Sequence, residues 1–257
     1  MDQFTLSLIT TLLIGGITGY LGTLLLTRRM SLVGGPLGHL ALPGVALALL
    51  YNFNLFLGAL ISIGLGAIVI WILSLKSKVP LEALTAVTFA SGVAIGFLFL
   101  PLEHAEEALI GNVWKIDQLD LVLTIILFIL VLFLYRRIYK DVILIELSPD
   151  LARAQGINLW RCNLLYLISV ALITALEVKI VGILLTAALF AIPAAASREV
   201  SKNLSQYQIF SFLFGSIAAL IGVLISSSLN LPAGPLIILT SLLIFLLSLL
   251  VSIFRKT

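Results

Sequence analysis

With 61% hydrophobic and 11% charged residues over 257 positions, and a mean hydropathy of +1.22, this chain is far from a soluble domain, where about a quarter of residues are charged. Apolar runs of roughly 18 to 25 residues recur along its length, enough to cross the bilayer core, and the ~10-residue alternating segments of a transmembrane barrel are absent. One cysteine, Cys162, excludes an internal disulfide and a cysteine-based metal cluster, and the net charge of +3 reflects membrane topology, with no indication of nucleic-acid binding.

The expected fold is all-α: a polytopic helical membrane protein and a single transmembrane domain over residues 1–257. Spans are predicted near 4–27, 37–52, 55–75, 83–101, 119–137, 160–176, 179–197, 206–228 and 234–253. The first lacks a basic n-region and reads as a retained span, not a signal peptide. Lys and Arg accumulate in cytoplasmic loops. Nine spans with the N-terminus outside put thirteen of the fifteen basic residues on the cytoplasmic side, all except Lys115 and Lys179. On this reading Asp2, Glu103, Glu106, Glu107, Asp117, Asp120 and Glu177 fall outside. Eight spans is the alternative, if 160–176 and 179–197 are not both full crossings.

After the first span comes RRMSLVGGPLGHLALPGVALALL, residues 28–50. Arg28 and Arg29 end the span at the cytoplasmic surface. Gly34, Gly35, Pro36 and Gly38 form a re-entry, His39 lies one turn inside the second span, and Pro43-Gly44 interrupts that helix again. Irregular backbone at membrane depth survives only packed in protein or lining a wet cavity. Two roles are open for His39: a local cap near the interface, or a neutral imidazole facing a conduit, where it is a good transition-metal ligand.

The loop LPLEHAEEALIGNVWKIDQLD follows the fourth span. Glu103, His104, Glu106 and Glu107 offer imidazole and carboxylate, the donor set for Zn, Mn or Fe in the divalent state. The plain alternative is a solvated acidic loop. Either way a negative mouth raises the local cation concentration. The stretch ALIGNVW predicts a short interfacial or re-entrant helix anchored by Trp114.

Residues 136–160 are expected to form the longest cytoplasmic loop, with its central segment near 138–160. Ser148 is a good N-cap, with Pro149 at the first helical position and Asp150 in the first turn. Gly156 is a plausible C-terminal stop. Such a short capped helix under the membrane is either a docking element for a cytoplasmic partner or a plain connector. Further on, VGILLTAALFAIPAAASRE is dense in small residues, with Pro193 expected to kink it, and LNLPAGP makes a stiff turn between the last two spans. The sequence has no GxxxxGK[ST] phosphate loop, so uphill movement cannot draw on a nucleotide bound by that motif. Nor does it hold a nucleophile–base set for an intramembrane enzyme. A mere scaffold would not need the capped helix or the broken second span.

In one order, RRMSLVGGPLGHLALPGVALALL, LSPDLARAQGI, VGILLTAALFAIPAAASR and LPAGPLIIL resemble the permease subunit of ATP-binding-cassette zinc and manganese transporters, the ABC-3 family, over nearly the whole chain. The resemblance implies a transporter subunit and not an enzyme, placed in the cell membrane among lipid, with no bound cofactor. It implies a second permease copy, a cytoplasmic ATP-binding subunit that hydrolyses ATP, and an extracytoplasmic metal-binding protein. Zn, Mn or Fe is then the transported substrate. The segment Ser148, Pro149, Asp150, Ala152 and Gly156 matches the ATPase-coupling element. The family places an Asp and a His four residues apart on the second span, one helix face. His39 matches the histidine, but Gly35 occupies the aspartate position. That removes a negative ligand. The set is completed if the dimer supplies His39 twice, or if Glu103, His104 or Glu106 reaches in. The alternative is an importer permease for a different substrate such as a metal chelate.

Overall fold

Segments buried in hydrocarbon must satisfy their backbone polar groups internally, which for chains of this pattern means helices. A computed structural model describes residues 2–28, 38–100 and 109–256, and no strand occurs among them. In order come α1 (Gln3–Thr27), α2 (Leu42–Tyr51), α3 (Leu55–Lys76), α4 (Leu81–Phe99), a 3-10 turn (Val113–Lys115), α5 (Gln118–Leu147), α6 (Pro149–Ala154), α7 (Leu159–Val181), α8 (Thr186–Val200), α9 (Leu204–Leu229) and α10 (Ala233–Lys256). Among the described residues six helices, α1, α3, α5, α7, α9 and α10, are long and apolar enough to cross a membrane.

Asparagine and aspartate set several starts. Asn54 Oδ1 accepts from the amides of Phe56 and Leu57, Asn158 Oδ1 from Arg161 and Asn203 Oδ1 from Gln206, each satisfying donors orphaned in a first turn. Asp117 and Asp120 form a reciprocal capping box at the head of α5.

The centre of the bundle is α1. Of its apolar window 72% is buried, as in α7, against 22% in α5 and 28% in α10. Leu57, Ile61, Leu65, Ile68 and Ile72 on α3 are exposed at three- and four-residue intervals, the stripe a helix turns toward lipid. Close approach at the centre depends on small residues. A Cβ on Gly15 would stand 2.6 Å from the Gly215 carbonyl oxygen, and Ser211 Oγ donates to the Gly19 carbonyl at 2.5 Å, binding α1 to α9 in the manner of small-residue membrane interfaces.

Several expectations are adjusted. The second span is broken where the sequence indicated: Gly38 and His39 are helical, Leu40 and Ala41 form a turn, and α2 begins at Leu42. The break falls just before Pro43-Gly44, and Pro43 sits in the first turn of the helix that follows, where its missing N–H costs nothing. The turn expected near residues 177–178 lies at Gly182, whose φ is +81°, so Glu177 and Lys179 belong to α7 and not to a loop. Their charges read as a boundary, but a buried ion pair at Lys179 lets the helix run on. The segment 138–147 is helix, the last turns of α5, because Ile138, Val142 and Ile145 bury one face. At 30 residues α5 is about 45 Å long, so it projects past the ~30 Å hydrocarbon core. Finally, Arg28 caps the end of α1 as expected, but its side chain packs into the bundle and is 7% exposed. Arg29 and Gly34, Gly35 and Pro36 lie outside the described residues.

Candidate metal pathway and coupling segment

His39 is helical and directly precedes the Leu40–Ala41 turn that leads into α2, level with the middle of its neighbours. Ser62 Oγ, midway along α3, donates to the Leu40 carbonyl at 2.6 Å. A Cβ on Gly66 or Gly92 would meet the Leu40 side chain. The imidazole is half-buried and meets the Phe89 ring of α4 edge-on at 5.1 Å. It is thus deeper than one turn inside a span. Glycine at position 38 lets the backbone beside His39 press on α8, since a Cβ there would collide with Thr186 Oγ1.

Glu103, His104, Glu106 and Glu107 lie outside the described residues. Among the described residues no three His, Cys, Asp or Glu side chains gather into a metal-binding group. On α4, which meets His39 through Phe89, the exposed face carries a stripe of small side chains, Ala83, Ala86, Ala90, Ser91 and Ala94, with Val87 and Leu98 among them.

Two charged sites escaped the sequence reading. At the end of the bundle marked by Gln3, Lys179 Nζ donates to Asp120 Oδ2, tying α7 to α5. The amide of Asn112 bonds the Lys179 carbonyl at 2.9 Å, and Gln3 Nε2 donates to the carbonyls of Trp114 and Ile116. Trp114 stacks on Phe4 at 6.3 Å; the short helix expected over ALIGNVW is instead helical at 109–110 and, past Gly111 with its φ of +77°, a 3-10 turn at Val113–Lys115. The Asp120 amide, followed by the charge of Lys179, holds the Asp117 carboxyl below the usual carboxylate range. The second site is Glu177, with 0% of its surface exposed and neither carboxylate oxygen hydrogen-bonded among the described residues. It lies against Thr18 of α1. The spacing of Glu177 and Lys179 was the available signal: residues two apart on a helix point to different neighbours.

At the opposite end, Arg28 Nη2 donates to Asn163 Oδ1 at 2.9 Å, and its guanidinium covers the Tyr166 ring at 4.8 Å. Near it the chain turns into α6. Ser148 Oγ accepts from the Leu151 amide at 3.3 Å, Pro149 is the first helical residue, and Asp150 pairs with Arg153 at 3.0 Å. Ala152 is fully buried, Gly156 has φ +77°, and Leu151 is 51% exposed. The short helix is therefore seated by a methyl group while presenting Leu151 and the Asp150–Arg153 pair outward. A cavity of about 840 Å³ opens nearby, lined by Thr27, Glu146, Leu147, Arg198, Lys202 and Tyr207.

The sequence matches the ABC 3 transport family over residues 1–252. It is 32% identical over 246 residues to the manganese import system permease protein ScaB of Streptococcus gordonii, covering 94% of this chain and 88% of that protein. It is 28% identical over 239 residues to the high-affinity zinc uptake system membrane protein ZnuB of Buchnera aphidicola subsp. Baizongia pistaciae, covering 90% and 91%. Among solved structures, PsaBC from Streptococcus pneumoniae in complex with Fab superposes with a TM-score of 0.83 at 27% identity, covering 96% of this chain and 91% of that one.

Proposed function

This chain belongs to the ABC 3 transport family and is a plasma-membrane permease subunit for metal import; we propose that two copies form the pathway for a divalent transition metal, with one His39 from each copy as ligands. The observation that carries this reading is the placement of His39. An imidazole midway through the bundle, on a broken helix and half-buried against α4, is where a passing cation can be met. The small-residue stripe on α4 supports a second copy on that face, because small side chains let helices and backbones approach closely. Two imidazoles across a two-fold axis supply two neutral ligands, of a type that suits Zn, Mn or Fe.

Nine crossings, N-terminus outside and C-terminus cytoplasmic, agree with the positive-inside rule at the end that carries Arg28, Arg153, Arg161 and Arg198. At that end α6 is the docking element for an ATP-binding subunit, which hydrolyses the nucleotide and tilts the permease pair between outward- and inward-open states. An extracytoplasmic binding protein delivers the metal at the Gln3 end.

The test is His39→Ala in the assembled transporter. Uptake of manganese and zinc is expected to fall at least tenfold, the cost of about 1.4 kcal/mol, with the amount of permease and its ATPase partner in the membrane unchanged. Uptake at the wild-type rate by a correctly assembled variant removes His39 from the pathway.

A further inference from the structure

Between α5 and α9 lies a groove that neither metal passage nor ATPase docking uses, with a volume of about 540 Å³, in the range of ligand pockets. Its two walls change character along their length in the same direction. On α5, Phe128 and Leu132 are followed at four-residue steps by Arg136 and Lys140; on the antiparallel α9, Phe212 and Ile209 give way to Gln208 and Ser205. Residues four apart share a helix face, so the apolar pair and the basic pair of α5 form one continuous strip. The apolar end lies in the interior of the bundle's length. The basic end lies toward the end that carries Arg28 and α6. No Asp or Glu lines the groove among the described residues.

The floor between the two ends is fixed. Tyr20 and Tyr135 pack at 4.3 Å, and Tyr135 and Tyr139 stack at 5.1 Å. The Tyr135 hydroxyl hydrogen-bonds Thr23 Oγ1 at 2.6 Å, and Gln208 Nε2 donates to it at 3.4 Å. Arg136 stands beside the Tyr20 hydroxyl, whereas Arg137 turns away onto the Phe133 ring at 5.3 Å. At the deep end Phe128 meets Phe212 edge-on at 6.2 Å.

We propose that this groove binds one anionic phospholipid of the leaflet at the Arg28 end, its phosphate held by Arg136 and Lys140 and one acyl chain running over Leu132, Phe128, Phe212 and Leu213. The chemistry has two parts: α5 supplies both the basic pair and an apolar stretch, and α9 lines the same two ends with neutral polar and apolar side chains. A guanidinium presents a fork matched to phosphate oxygens, and basic side chains near an anionic headgroup attract it by about 1 kcal/mol each. The apolar floor beyond them removes methylene groups from contact with other lipid only where a groove exists to receive them. A free phosphate would use the first part alone.

The experiment is native mass spectrometry of the full-length permease, extracted from vesicles with equal amounts of phosphatidylglycerol and phosphatidylcholine. The unmodified protein is expected to retain one phosphatidylglycerol per chain in preference to phosphatidylcholine; equal retention overturns the proposal. Replacing both basic residues, Arg136→Gln with Lys140→Gln, should weaken retention about thirtyfold, the effect of two headgroup contacts, while Arg137→Gln leaves it unchanged. Retention that is unaffected by the double change, or lost equally on Arg137→Gln, sinks it. Leu132→Trp, which fills the deep end and leaves both charges, should also release the lipid; retention at the wild-type level would mean charge alone binds. Displacement by millimolar inorganic phosphate would make the ligand a free anion and overturn the lipid.

Discussion

A charge inside hydrocarbon is tolerated only with a partner or a purpose, and the charged residues of α7 divide along that line. Lys179 has its partner. Its ammonium meets Asp120 with side-chain exposures of 16% and 7%, so removing one member leaves the other charge nearly dry. Lys179→Met is expected to destabilise the protein by about 3–5 kcal/mol, while Lys179→Met combined with Asp120→Asn loses less, because an unpaired buried charge costs more than the pair contributes. Thermal unfolding of the purified permease in detergent checks this; a double variant less stable than either single one would mean the pair itself drives folding. Glu177, two residues earlier, has Thr18 beside it and no hydrogen bond to its carboxylate oxygens among the described residues, and the proposed pathway does not use it. His39, outside α7, is read from its depth and from the break that follows it.

At the scale of elements, short helices matter more here than long ones. The six long apolar helices build the wall, but the broken helix before α2 places the imidazole, and α6 is the proposed docking element. The seat of α6 is narrow: Ala152 is fully buried between α5 and α7. Ala152→Leu adds three carbons where no space exists, an overpacking cost of about 1–3 kcal/mol. For a six-residue helix that is enough to lift it from its seat. The expected outcome is loss of the ATP-binding subunit on co-purification, with the quantity of membrane-inserted permease unchanged. A variant that still carries its ATPase would remove α6 from the docking surface. The lipid groove also belongs to this scale, since it exists only because α5 and α9 run antiparallel with matched gradients of polarity.

For the whole molecule the open question is the second copy. The small-residue stripe on α4 is exposed in the isolated chain, and if two copies meet there, Ser91 lies near its own counterpart. Ser91→Cys is expected to give a covalent dimer on mild oxidation of membranes, read as a band of doubled mass on a non-reducing gel. Cys162 is 5% exposed and adds little background. A Ser91→Cys protein that stays monomeric while transport continues would move the interface to another face.

The membrane class, the approximate positions of the long helices and the α6 cap were readable in the chain itself, because each rests on local physics. Hydrocarbon thickness sets the run length, and a Ser-Pro-Asp start with a glycine stop needs only neighbouring residues. The family, too, was legible in short motifs in one order. The depth of His39, the burial of Arg28 and the continuity of α7 through Glu177 and Lys179 were not. Those depend on which side chain from a distant segment arrives opposite: Ser62 for the turn at Leu40, Asn163 for Arg28, Asp120 for Lys179. A sequence read along one helix supplies the donor or the charge, and only packing of the helices against one another supplies its partner.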